Sequence, residues 1–168
     1  GQQVTAVILG DQVADKAGLL YQYGAERVIA IEHPLLKEYA TEPYAKGLTQ
    51  AIRADEPEIV LFGATSIGRD LAPRVAARIH TGLTADCTGL DIDPETKLLR
   101  MTRPAFGGNI MATIICPHYR PQMATVRPGV MKMRERDQGK GGRAELLKVD
   151  FTSEDMNIEI LEVYKETR

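Results

Sequence analysis

Along the first half of the chain, short apolar runs alternate with stretches whose apolar residues recur every three or four positions. Val4 to Leu9, Arg27 to Ile31 and Ile59 to Phe62 are runs of strand length. Between them, Val13, Ala17, Leu20 and Tyr21 share one helical face, and so do Tyr44, Leu48 and Ile52. Ile67, Leu71, Val75 and Ile79, with Ala72 and Ala76 beside them, form a third such stripe. Punctuation agrees with the periods. Gly10 ends the first strand, Gly24 stops the first helix, and His33-Pro34 breaks the second strand. Glu42-Pro43 opens a helix that Asp55 to Pro57 end, and Thr81-Gly82 stop the third. Ile59 to Phe62 has the length and continuity of a buried strand, and Leu83 to Ile92 reads as one further extended segment. Strand, helix and strand in this order build a mainly parallel sheet through right-handed crossovers.

The second half changes rhythm. Leu98 to Phe106 and Ile110 to Cys116 are extended runs joined through Gly107-Gly108, a two-residue hairpin signal because type I′ turns need positive φ twice. Met123 to Val126 is a third extended piece. Residues 134–143 are polar and glycine-rich, the composition of a mobile surface loop. Ala144 to Phe151 and Ile158 to Tyr164 read as further strands separated by a Thr-Ser-Glu-Asp turn. No repeat recurs at a fixed period, and no domain boundary shows.

Composition adds exclusions. At 168 residues, 43% apolar and 26% charged, the chain has the size and balance of one globular domain. A formal net charge of −2 gives no global pull toward nucleic acid or an anionic membrane. No run reaches the length of a membrane span. The chain opens on Gly1 without Met or a signal peptide, and reads as a processed or excised piece. Cys87 and Cys116 are read as two buried thiols of a reducing compartment, and the three histidines are too scattered for a metal site.

Loops at the carboxyl ends of parallel strands are the usual place for ligands, which directs attention to Gly63 to Arg69. Gly63-x-x-x-x-Gly68 outlines a phosphate loop. Arg69 stands where its lysine would reach phosphate, and Asp70 where a hydroxyl would hold magnesium. Thr65 or Ser66 can cap the following helix, with Asp70 complementing its positive end. Alternatively, Asp70 is the cap and Pro73 the third helical residue. The loop is thus either a tight turn or a surface facing a cofactor or partner. Arg103, Arg120 and Arg127 each precede proline, which holds them extended and presents planar guanidinium groups. They either contact a flat anionic or aromatic group or end strands in solvent. Arg103 and Arg127 converge if the hairpin pairs with the strand after it. Asp86 lies inside an apolar run and needs partners, for which backbone amides and the Thr84 and Thr88 hydroxyls are at hand. No Ser-His-Asp set or carboxylate pair declares a catalytic centre.

Four blocks together resemble the α subunit of electron-transfer flavoproteins: Gly63 to Arg78, Thr81 to Thr88, Thr102 to Asn109, and Arg120 to Gly129. The Arg-Pro-Ala-Phe-Gly-Gly-Asn and Gln-Met-Ala-Thr-Val-Arg-Pro forms look most like those of anaerobic bacteria and archaea, electron-bifurcating ones included. The resemblance implies an α/β, Rossmann-like (adenine nucleotide α hydrolase-like) mainly parallel sheet with flanking helices and a hairpin-rich second half. Residues 1–168 would then be a single N-terminal domain, without the family's first strand and helix and without its C-terminal FAD domain. It implies FAD in the parent complex, none held by this piece alone, and a β subunit as partner. It implies a cytoplasmic electron carrier rather than an enzyme, serving acyl-CoA or related flavin dehydrogenases, as in fatty acid β-oxidation. Arg127 and Arg103, with Thr84, Asn109, Ser66 and Arg69, are the residues it sets toward a β-subunit flavin. The residues alone leave two other readings, a stand-alone AMP- or ATP-binding module and a purely structural assembly domain.

Overall fold

A computed structural model describes residues 3–164. In chain order, β1 (Thr5–Gly10), α1 (Ala17–Gln22), β2 (Arg27–Glu32), α2 (Thr41–Asp55), β3 (Ile59–Gly63) and α3 (Ser66–Ile79) follow the periods of the sequence. Gly24 stops α1 with φ at 109°, a value open to glycine. The second half adds β4 (Leu83–Cys87), β5 (Gly89–Ile92), β6 (Leu99–Ala105), β7 (Ile110–Ile114), β8 (Gln122–Val126) and the two-residue β9 (Glu145–Leu146).

The strands form three three-stranded sheets. Two are parallel, ordered β1-β2-β9 and β3-β8-β4, and the third is the antiparallel meander β5-β6-β7. The parallel sheets share one helical layer. Leu48 and Ile52 of α2 and Leu71, Val75 and Ala76 of α3 pack on Met123, with Val7, Leu9, Val60 and Phe62 against them. Ile31 also faces α2, at Ala51. Strand alternation therefore turns Val28 and Ala30 to the opposite face, where α1 lies on β2. On that same side, β5 and β6 cover the second parallel sheet through Cys87, Leu99, Met101 and Ala124.

Several expectations need correction. Leu83 to Ile92 is not one strand. The chain leaves the parallel sheet at a bulge after Thr84, with Asp86 at φ 60°, and re-enters as the first strand of the meander. The hairpin is real, with Ala105 opposite Ile110, but its loop is four residues. Phe106, Gly107 and Gly108 all have positive φ, so the turn is longer than Gly-Gly implied. β8 pairs with β3 and β4 rather than with the hairpin. β3 is not buried, since Leu61 is 52% exposed. Of Ala144 to Phe151, only Glu145–Leu146 forms a strand, beside β2. Residues 158–164 form no strand. Their alternating apolar side chains find no sheet edge among the described residues and stay exposed. Residues 134–143 lie along α1, where Arg136 donates to Gln22 and Tyr21 donates to the Arg143 carbonyl. Cys87 is buried as expected, but Cys116 is only half-buried.

Candidate functional site

The carboxyl ends of β3, β8 and β4 lie side by side, and the turn into α3 closes one flank. Thr65 is the N-cap of α3, its hydroxyl accepting from the Gly68 amide at 3.1 Å. A Cβ at Gly68 would collide with the Gly63 carbonyl oxygen. The spaced glycines thus record a close strand–helix approach rather than a phosphate cradle. The helix does not start at Asp70. Pro73 sits inside it, and the Asp70 carboxylate accepts from Tyr39 at 2.6 Å and Thr41 at 2.5 Å, joining α3 to the start of α2. Those bonds hold Asp70 below the usual carboxylate range, while burial and the bond to Asp70 push Tyr39 up to about 12.

Asp86 is the centre of the site. Its partners are arginines rather than the neighbouring threonines and amides. Arg127 donates to it twice, from Nε at 3.1 Å and Nη2 at 2.7 Å, and Arg69 Nη2 reaches it at 3.4 Å. Arg69 is braced by Nε donating to the Ala64 carbonyl at 2.9 Å. The bulge aims Asp86 outward, and its own amide donates to Thr125 Oγ1 at 2.8 Å. The bond from Arg127 holds Asp86 below the usual carboxylate range, and the same bond raises Arg127.

Arg103 enters from the meander. Its Nε donates to the Pro104 carbonyl at 3.4 Å, it makes no ion pair with Asp86, and only its charge reaches Asp86 and Cys87. The strands that carry Arg103 and Arg127 are brought together by stacking of layers, not by pairing with each other. The joints are the Thr88 amide on the Thr102 carbonyl at 2.8 Å and the Arg127 amide on the Cys87 carbonyl at 2.9 Å. The Arg127 and Arg69 guanidinium groups bracket one carboxylate and, with the charge of Arg103 acting on it, leave a net positive face. The side chains of Arg127 and Arg69 are 43% and 59% exposed, and that of Asp86 is 24% exposed.

The other expected residues are scattered around this face. Ser66 is exposed at the first turn of α3, beside Arg69. Thr84 is buried at 5%, beneath the meander rather than on the open surface. Asn109 closes the exposed hairpin tip, next to Phe106 at 83% exposure. Arg120 is not part of the face. It donates to Glu58 at 2.6 Å and to three nearby carbonyls, which makes it a loop brace. The need of Asp86 for partners was legible from its placement in an apolar strand, and that placement is the sequence signal for the cluster. Among the described residues no group of His, Cys, Asp and Glu is arranged to hold a metal, and no helix is long and apolar enough to cross a membrane.

Residues 1–152 match the family described as "Electron transfer flavoprotein domain". The "Electron transfer flavoprotein subunit alpha" of Thermoanaerobacterium thermosaccharolyticum is 51% identical over 168 residues, which cover 100% of this chain and 51% of that protein. The "Acryloyl-CoA reductase electron transfer subunit beta" of Anaerotignum propionicum is 45% identical over 192 residues, 100% of this chain and 52% of that protein. "Lactate dehydrogenase (NAD(+),ferredoxin) subunit LctC" of Acetobacterium woodii is 43% identical over 168 residues, 100% of this chain and 40% of that protein. The chain spans about half the length of the curated relatives it matches most fully.

Proposed function

The chain belongs to the electron transfer flavoprotein family, and from that premise we propose that it is the scaffold domain of an electron-carrying α subunit, docked on a β subunit and facing the flavin held there. The parent complex carries electrons from acyl-CoA or related flavin dehydrogenases to a downstream acceptor, in the cytoplasm, as a carrier rather than an enzyme. The finer fold reading, a Rossmann-like sheet of the adenine nucleotide α hydrolase-like kind, belongs to the same proposal. It is supported by parallel strands with helices on both faces.

The observation that carries the reading is the arginine face at the carboxyl ends of β3, β8 and β4. Its donor set fits FAD held by a neighbour. Guanidinium groups are planar, permanently charged and suited to the flat, electron-rich edge of an isoalloxazine. When bound, the flavin supplies the redox chemistry. Arg127 is the residue set toward it, held in one orientation by its two bonds to Asp86. Arg103 and Arg69 extend the positive field, and Ser66 and Asn109 stand at its margins. Thr84 supports the site from below. A positive charge near a flavin favours its anionic reduced form by Coulomb attraction.

Calorimetry tests the division of labour. With FAD, AMP or ATP the chain alone gives no tight binding, and with the β subunit added an FAD-binding complex forms. Tight binding of AMP or ATP by the chain alone would favour the stand-alone nucleotide module instead.

A further inference from the structure

The polar segment after β8 is anchored, and it carries cations without counter-charge. Lys132 to Arg143 holds five cations and two carboxylates, in a chain whose formal net charge is −2. Seven arginines elsewhere pair with carboxylates. Among the described residues Lys132, Arg134, Arg136, Lys140 and Arg143 make no such pair, and all five are exposed. The segment closes on the last turn of α1. The Asp137 amide donates to the Gln22 carbonyl at 2.9 Å, and Arg136 Nε donates to Gln22 Oε1 at 2.7 Å. The Tyr21 hydroxyl donates to the Arg143 carbonyl at 3.1 Å. The fit is close at two glycines. A Cβ at Gly24 would meet the Arg134 guanidinium, and one at Gly142 would meet the Tyr21 ring. Asp137 is used within the segment, where it accepts from the Gly139 amide at 3.0 Å. Cations gathered in this way at Tyr21 to Gly24 repel one another and form a standing positive field.

We propose that this strip is a docking surface for an acidic protein. The charges are strung along the segment, with Glu135 and Asp137 between them. A nucleic acid is held by a denser cationic field, with six to ten phosphates neutralised in typical complexes. A single phosphate needs donors that converge, and Arg136 Nε is already spent on Gln22. Exposed apolar side chains lead into the strip: Val130 at 39%, Met131 at 45% and Met133 at 73%. They have no use against phosphate. Methionines that adapt to their contact, rimmed by cations, match the apolar centre and charged rim of a protein interface. The partner surface is therefore carboxylate-rich around exposed apolar residues. The strip steers it in, so the encounter is fast and weakened by salt. Tyr21 to Gly24 precede β2 and lie at its amino end, whereas the arginine face stands at the carboxyl ends of β3, β8 and β4. The two surfaces are separate, and the docking strip does not depend on the flavin reading.

The test is fluorescence anisotropy on the full-length parent protein, assembled with its partner subunit. The probe is a labelled glutamate-rich peptide with leucines at its centre. The comparison probes are the same peptide with glutamine for glutamate, a short DNA duplex, and phosphatidylserine vesicles. The acidic peptide binds best, and its affinity falls about tenfold between low and physiological salt. Lys132→Glu with Lys140→Glu weakens it by about tenfold or more. Those two side chains make no hydrogen bond among the described residues, so the variant keeps the fold. Arg127→Ala, on the other face, leaves peptide binding unchanged. Absence of peptide binding in the assembled protein overturns the inference, and so does binding that the double charge reversal leaves intact. Tighter binding of the duplex or the vesicles overturns it in favour of a phosphate surface. Loss of subunit assembly in the double variant overturns it as well, since the strip would then be part of the subunit interface.

Discussion

Gly68 is fixed by what it touches. Its φ is ordinary, yet any side chain there meets the Gly63 carbonyl. Gly68→Ala is expected to destabilise the chain by about 3 kcal/mol, the upper range for overpacking, measured by urea denaturation. Asp86 gives a pH signature. Its folded pKa lies below its ordinary 3.8, so the stability it contributes is complete above that value and fades as pH falls through the lowered one. Asp70 and Asp155 act in the same sense. The Asp86 carboxyl should titrate below 3.8 by NMR, and Arg127→Ala should bring it back toward that value; an unchanged midpoint would disconnect the two residues. The oddity of Asp86 was legible in the sequence as a charge in an apolar strand. Its partner was not, because Arg127 lies 41 residues away and reaches it only after β8 inserts beside β4.

Elements differ in how much packing secures them. β8 is the inner strand of its sheet, and Met123 is fully buried against α3. Met123→Ala should cost about 2–5 kcal/mol. Thr65→Ala removes one cap bond from α3 and should cost about 1 kcal/mol. Comparing the two by thermal or denaturant unfolding separates core packing from local helix termination. The helices and early strands were legible because each carries its own period and stop signals. β8 was legible as an extended piece, but its place was not, since a run such as Gln122–Val126 does not say which edges it joins. The run Leu83 to Ile92 misled for a related reason. It carries no helical period and no proline to divide it, while the bulge at Asp86 sends its two halves into different sheets. Ile158 and Ile160 alternate as a strand would, but alternation needs a neighbour to become a sheet.

On the scale of the whole molecule, layering makes the candidate site. The meander stacks on the parallel sheet, and this alone brings the charge of Arg103 to act on the carboxylate that Arg127 and Arg69 hold. Family membership was legible from four short blocks, because they are the segments that meet at this face: the α3 turn, β4, the hairpin and the end of β8. Their convergence was not legible, because register between layers leaves no trace in local spacing. The central claim is that this positive face stands against a flavin held by the partner subunit. The direct measurement is the reduction potential of that flavin in the full heterodimer, wild type against Arg127→Ala, with Asp86→Asn as a companion variant. Removing the guanidinium should shift the potential to more negative values by tens of millivolts, since reduction then places negative charge without its counter-charge. Asp86→Asn, which leaves Arg127 charged and unpaired, should shift it the other way. Potentials unchanged in both variants, in a heterodimer that still assembles with full affinity, would contradict the account.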